Sequence, residues 1–324
     1  MSIILFFIDG VGLAPASADN PLSMLPMPTL RSALGGPLTL EAVQQREGLL
    51  LRAIDATLGV DGLPQSGTGQ MSILGGFNAA QLHGHHQAHF PPVALRPRLA
   101  QENVFGHIRA RGADVAFANV FGPNYWDALA QRRVRPSASV LAAQGAGVRL
   151  RSLEDLLHAR ALCWDISATQ LRIHEPDLPP QIPTQAGHIL ATLAQEHDFV
   201  YFESFLPDLA AHGRLSQRWT SRKPGSTSEN DASAQPVDIL GQITDAFERL
   251  DGTLAALLER MHADVTLVVT SDHGNAESLR APAHTRNPVP LLVIGPHAPR
   301  FAGVDNIAGV IQPIVALMEM RNDR

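Results

Sequence analysis

The sequence predicts an α/β layer sandwich with a mostly parallel sheet, on three observations. Four short apolar runs (residues 3–8, 199–202, 265–270 and 289–294) are continuous rather than alternating and rich in β-branched or aromatic residues. Such runs suit strands buried on both faces. Helix-period segments lie between them, and strand–helix–strand alternation builds layered α/β folds. Three of the runs end in polar chemistry: Asp9-Gly10, Glu203 to Asp208, and Ser271-Asp272-His273-Gly274. Open parallel sheets gather their sites at the carboxyl ends of strands.

Taken in order, the first strand runs straight into Asp9-Gly10. The loop Gly62-Leu63-Pro64-Gln65-Ser66-Gly67-Thr68-Gly69-Gln70 follows, with a helix expected to start near Gln70. Residues 82–182 begin His/Pro-rich and end with Pro176, Pro179 and Pro180, and contain a helix-like 104–111 and a strand-like 115–120. They read as a small inserted cap domain, which leaves 1–81 and 183–324 as the core. Thr184 is the expected cap of a helix to about Glu196. Residues 213–237 are polar and pattern-free, as in a surface loop. From 238 to 261, Ile239, Ile243, Phe247, Leu250, Leu254 and Leu257 form one helical stripe, read as core packing.

Composition narrows the function classes. The 324 residues are 45% hydrophobic and 17% charged, an ordinary globular balance. A net charge of −6 argues against a nucleic-acid-binding surface. The single cysteine, Cys163, allows neither an internal disulfide nor a thiolate metal cluster, which suits a reducing compartment. No run reaches the roughly 18 apolar residues of a membrane span. The apolar start lacks the basic region of a signal peptide. The expectation is a soluble cytoplasmic protein with no membrane or nucleic-acid partner; nothing in the chain sets an oligomeric state.

The strongest chemical signal is a dispersed set of metal-ligand types: Asp9, Asp208-x-x-x-His212, the pair Asp272-His273, and His284. Carboxylates and imidazoles without thiolates suit Zn²⁺ or Mn²⁺. Three Asp and three His are enough for two ions, and two cations can clamp the attacking and leaving oxygens of a phosphoryl group. Ser66 lies in a glycine-bearing loop where backbone can approach an anion. Its hydroxyl is a weak nucleophile alone and becomes usable beside a cation. Gly10-x-Gly12 after a strand lacks the third glycine of a dinucleotide fingerprint.

These motifs resemble the alkaline phosphatase superfamily. The resemblance rests on Asp9-Gly10-Val11-Gly12, Ser66-x-x-Gly69, Pro207-Asp208-x-x-x-His212, Thr270-Ser271-Asp272-His273-Gly274-Asn275-Ala276-Glu277 and His284-Thr285-x-Asn287-Pro288-Val289-Pro290. The last two stretches look most like cofactor-independent phosphoglycerate mutase, and the size class resembles phosphopentomutase. The resemblance covers about 1–80 and 185–324. It implies a three-layer α/β core with a mostly parallel sheet and a small inserted cap. It implies that Asp208, His212 and His284 hold one divalent metal, Mn²⁺ or Zn²⁺, and that Asp9, Asp272, His273 and the Ser66 oxygen hold the other. Ser66 would be transiently phosphorylated, with both metals stabilising the phosphoryl oxygens.

The chain departs from the mutase pattern in two places. Gln70 stands where that pattern has a histidine, and the only lysine, Lys223, lies in the polar loop rather than the core. The arginines Arg96, Arg98, Arg132, Arg133 and Arg135 are available in the insert for anions instead. Sulfatase chemistry needs a C/S-x-P-x-R context, which the nucleophile loop lacks. The leading expectation is therefore a hydrolase of a small phosphorylated metabolite. A phosphomutase of the same superfamily and a non-catalytic metal-binding scaffold or sensor are the alternatives. Thr68, Gln70 and Asn275 are expected to touch substrate or support the ligands. His83, His85, His86 and His89 are read as a solvated loop at the core–cap junction or as phosphate contacts on closure. Tyr125 and Trp126 are read as cap core or lid surface.

Overall fold

The computed structural model describes residues 1–215, 237–281 and 283–321. Residues 216–236, most of the expected surface loop, lie outside the described residues. Seven strands form one sheet: β1 (Ser2–Ile8), β2 (Gln44–Arg46), β3 (Leu49–Ile54), β4 (Val115–Phe117), β5 (Phe199–Ser204), β6 (Val265–Thr270) and β7 (Val289–Ile294), in the order β2-β3-β7-β6-β1-β5-β4. The block β6-β1-β5-β4 is parallel, and β7, β3 and β2 add to it antiparallel.

Side-chain alternation along β1 divides the core. Ile4, Phe6 and Ile8 enter one buried cluster, and Ile3, Leu5 and Phe7 enter the other. Both faces are therefore apolar, which is why the run shows no polar alternation. Five helices frame the site: α1 (Ser66–Gly75), α2 (Pro183–Glu196), α3 (Leu206–Ala211), α4 (Ile239–Arg260) and α5 (Ile311–Arg321). The first cluster lies under α2 and α4, and the second under α1 and α5. Three layers result, and the fold is the alkaline phosphatase-like α/β sandwich.

Helices α2 and α4 pack closely enough that a Cβ on Gly187 would sit 2.4 Å from Thr253 O. The α4 carboxylate of Asp251 accepts bonds from Thr29 N (3.0 Å) and Leu30 N (2.9 Å) at the start of the helix Pro28–Leu34. An anion there satisfies donors that the helix leaves open.

Local boundaries differ from the sequence reading in physically simple ways. Helix α1 begins at Ser66 rather than near Gln70, since its first two glycines are buried against Phe90 O and Asp272 and need no turn of their own. Helix α2 begins at Pro183, whose fixed φ suits the first position, and Thr184 stands inside it. Within 82–182, the segment expected to form the cap, β4 pairs with β5 in the main sheet. Leu99, Val104, Phe105, Phe117 and Val140 are buried in the same cluster as Ile3, Leu5 and Phe7. Phe105 and Phe117 also pack against Tyr201 of β5, with ring centroids 5.5 and 5.2 Å apart. Among the described residues no helix is long and apolar enough to cross a membrane.

Candidate metal centre

The carboxyl ends of β1, β5 and β6 share one edge of the sheet, and antiparallel β7 starts there. Asp9 follows β1 directly. The turn after it needs glycine: Gly10 has φ +75°, and a Cβ there would sit 2.7 Å from the Asp208 Cβ. Asp272 and His273 follow β6 and are fully buried. After β5 the chain enters α3, which places Asp208 and His212 four residues apart on one helical face. The loop entering β7 supplies His284, whose Nδ1 lies 2.9 Å from Pro64 O, so its Nε2 faces inward.

These side chains form two groups whose ligand atoms lie within 4.8 Å of one another: Asp208 with His212 and His284, and Asp9 with Asp208 and His273. In the first, Nε2 of His212 and of His284 are each 3.5 Å from Asp208 Oδ1. In the second, His273 Nε2 is 3.2 Å from Asp9 Oδ1. Asp208 thus stands between the two groups. Asp272, expected beside Asp9, has Oδ2 at 3.7 Å from His273 Nε2.

Ser66 occupies the first position of α1, and its Oγ is 2.9 Å from His273 Nε2. The glycines make that closeness feasible, since a Cβ on Gly69 would meet the Asp272 Cβ at 2.8 Å. Gln70 donates to Asp9 Oδ2 (3.1 Å), and Asn275 Nδ2 donates to Asp208 Oδ1 (2.8 Å). Both amides therefore hold carboxylates. Thr68 is fully buried; its hydroxyl donates to Gln65 O (3.3 Å) and accepts from Gln87 N (3.3 Å). That side chain serves the backbone of the loop.

The electrostatics fit a cation site. Burial, then the charges of Asp272 and Asp208, push the Asp9 carboxyl well up. Burial also raises Asp272. Burial opposes a charged His273, yet Asp272, Asp9 and Asp208 together push it up to about 10. Burial and the His273 charge push His284 down to about 4. Asp9 Oδ1 and both Asp272 oxygens are buried without a hydrogen-bond donor. Orphaned buried carboxylate oxygens beside inward imidazole nitrogens, with no thiolate, are a donor set that could hold a divalent cation.

Two buried acids near the ligands had no role assigned from sequence. Glu277, 1% exposed, accepts from Gly12 N (2.9 Å), Asn275 N (2.8 Å), Asn287 Nδ2 (3.0 Å) and the Thr285 hydroxyl. It ties together the loops that carry Asp9, His273 and His284; the signal was its place in the Asp-His-Gly-Asn-Ala-Glu run. Glu203, 3% exposed, accepts from Ser139 Oγ (2.8 Å) and Tyr201 Oη (2.9 Å). Burial pushes it up to about 7, with Asp272 adding to the rise. Of the histidine cluster, the His83 and His85 rings are 4.2 Å apart, and His89 lies within electrostatic reach of His212. Tyr125 and Trp126 pack on each other and on Phe121. A separate groove of about 710 Å³ lies among Asp55, Phe77, Arg300 and Gln312 and includes none of the candidate ligands.

Residues 229–321 match the model of the Metalloenzyme superfamily. The chain is 40% identical over 83 residues to the 2,3-bisphosphoglycerate-independent phosphoglycerate mutase of Serratia proteamaculans, across 23% of this chain and 16% of that protein. To the Yersinia pestis protein of the same name it is 32% identical over 103 residues, across 30% of this chain and 18% of that protein. The chain thus matches less than a fifth of the length of these relatives. Through that C-terminal stretch the chain resembles the metalloenzyme superfamily, of which the alkaline phosphatases are members. A likeness of fold extends over nearly the whole chain. A cold-active alkaline phosphatase from Shewanella sp. superposes with a TM-score of 0.52 at 13% identity, covering 98% of this chain and all of that one. The PH0037 protein from Pyrococcus horikoshii gives 0.51 at 14% identity, covering 99% and 97%.

Proposed function

We propose that this chain is a dinuclear-metal-dependent phosphoryl-transfer enzyme that hydrolyses a small phosphorylated metabolite through Ser66. The observation that carries the reading is Ser66 Oγ at the first position of a helix, 2.9 Å from His273 Nε2, beside two groups of ligand atoms that share Asp208. Asp208, His212 and His284 would hold one cation, and Asp9, His273 and the adjoining Asp272 and Ser66 oxygens the other. Two such cations supply charge neutralisation at the phosphoryl oxygens and lower the pKa of the serine hydroxyl.

This chain's own residues do the rest. The first turn of α1 points backbone N–H groups towards the phosphate. Gln70 and Asn275 hold Asp9 and Asp208 in register, and Glu277 fixes the three ligand loops. Ser66 Oγ attacks phosphorus as the bond to the leaving oxygen breaks, giving a Ser66 phosphoester and the free alcohol of the substrate. Water then attacks phosphorus, the Ser66–phosphorus bond breaks, and inorganic phosphate leaves. The scarcity of lysine, with Lys223 of the polar stretch 213–237 the only one in the sequence, favours water over return of the phosphoryl group to the substrate. The similarity to mutases around Asp272–Pro290 favours the second reading, a phosphomutase.

Hydrolysis of an aryl phosphate by the purified chain, with Mn²⁺ or Zn²⁺ against chelator, tests the proposal. Metal-dependent release of phosphate is expected. Phosphate on Ser66 without release to water would replace the hydrolase by the mutase, and neither signal under any metal would refute both.

A further inference from the structure

Helix α3, which carries Asp208 and His212, is only six residues long, well short of the roughly 12 that hold a helix on its own. Its direction comes from what it packs on. Leu206 and Ala210, one turn apart, are fully buried in the same apolar cluster as Ile166. Residues two apart on a helix point about 200° from each other, so Asp208 and His212 occupy the opposite face. Whatever fixes the start and the buried face of α3 therefore aims the ligands.

The turn 163–168 reaches the entrance of α3. The Trp164 ring lies 5.8 Å from that of Phe205, the residue before the helix, at an angle of 55°. Phe205 O accepts from Leu209 N (3.1 Å), so a shift of Phe205 passes into the first turn of α3. The turn itself is strained: Ile166 and Ala168 have φ of +62° and +61°, and both are fully buried. Among the described residues Ile166 is the only β-branched side chain in the left-handed region, a true backbone outlier. Its surroundings enforce it. The buried Asp165 carboxylate accepts from Ala168 N (3.0 Å) and Gln170 N (2.9 Å). Arg249 of α4 donates to Asp165 O (3.3 Å) and Ser167 Oγ (2.8 Å), and Cys163 N donates to Gln181 Oε1 (3.1 Å). Strain persists only where the structure over-determines it, and such positions gather at functional sites. Here the braced turn presents Trp164 to the helix that bears Asp208.

We propose that the turn 163–168, through Trp164 against Phe205, sets the position of α3 and thereby of Asp208 and His212, which makes Trp164 a positioning residue for the metal centre. The proposal rests on the metal-dependent reading of that centre. It gives the segment 82–182 a part in the centre although none of the candidate ligands comes from it.

The test compares the parent with Trp164→Leu, Trp164→Phe and a control, Phe301→Leu, at a residue fully buried in the second cluster. Hydrogen exchange of the chelator-treated full chain reads α3 without metal, and titration with Zn²⁺ against a chromogenic chelator reads the centre. In Trp164→Leu the amides of 206–212 should exchange about tenfold faster or more, while those of 66–75 stay unchanged. At least one of two bound ions should lose about tenfold or more in affinity. Trp164→Phe keeps a ring against Phe205 and should restore most of both. The control should move neither, even where its urea midpoint falls as far. Unchanged exchange in 206–212, faster exchange with undiminished affinity, no rescue by Trp164→Phe, or an equal metal loss in the control each overturns the proposal. A parent that binds no metal counts against the metal-dependent reading alone, and the exchange arm still decides whether the turn holds α3. If Trp164→Leu fails to fold, Arg249→Met unties the turn from α4 at a partly exposed side chain and should shift both readouts in the same direction.

Discussion

Removing the Glu277 carboxylate should loosen the whole centre, because one buried group is the acceptor for three ligand-bearing loops. In Glu277→Ala the N–H groups of Gly12 and Asn275 lose bonds of 2.9 and 2.8 Å in a place that is 1% exposed. Each buried donor left unsatisfied costs about 1–3 kcal/mol. Thr285 and Asn287 are only half-buried and can turn to water, so they add less. The two backbone donors alone give a loss of about 2–6 kcal/mol, a large share of the 5–15 kcal/mol that holds a typical native fold. Glu277→Gln keeps one acceptor oxygen but turns an NH₂ towards other donors, and about half of that loss is expected. Urea denaturation of the chelator-treated protein reads the stability, and elemental analysis reads the metals. A Glu277→Ala protein with an unchanged urea midpoint and undiminished metal would refute the clamp.

Three further outcomes follow from the same geometry. His284→Ala should lower bound metal from about two per chain towards one, while Asp208→Ala, which removes an atom common to both groups, should lower it further; equal losses in elemental analysis would show that Asp208 serves one site only. Ser66→Ala should abolish covalent phosphate and hydrolysis, and full turnover would exclude Ser66 as the nucleophile. Glu203 carries a pH signature: its folded pKa is raised from 4.5 to about 7 by burial, so its penalty is absent below the lower value and complete above the upper one. Chelator-treated parent protein should therefore lose about 3 kcal/mol relative to Glu203→Gln between pH 4.5 and 7, as read by denaturant midpoints, and parallel profiles would contradict the assignment.

That most of the candidate ligands would meet was legible because their signal is local. Asp9 follows an apolar run directly, Asp272 and His273 follow one after a single serine, and a strand end fixes where the next side chains go. His212 was legible because four residues are one helical turn from Asp208. Asp208 standing between the two groups was not, because it depends on how α3 approaches the turn at Gly10, a contact between residues far apart in the chain. The start of α1 was misplaced because glycine reads as a loop signal, while here Gly67 and Gly69 are inside a helix to admit Phe90 O and Asp272.

The same distinction explains why the two buried acids were out of reach of the sequence. Thirty-one acids and twenty-five bases give a modest net charge, and that balance hides which members meet. Glu277 and Glu203 are buried by strands and loops far from them in the chain, and only the fold tells that one has four donors while the other has two neutral hydroxyls.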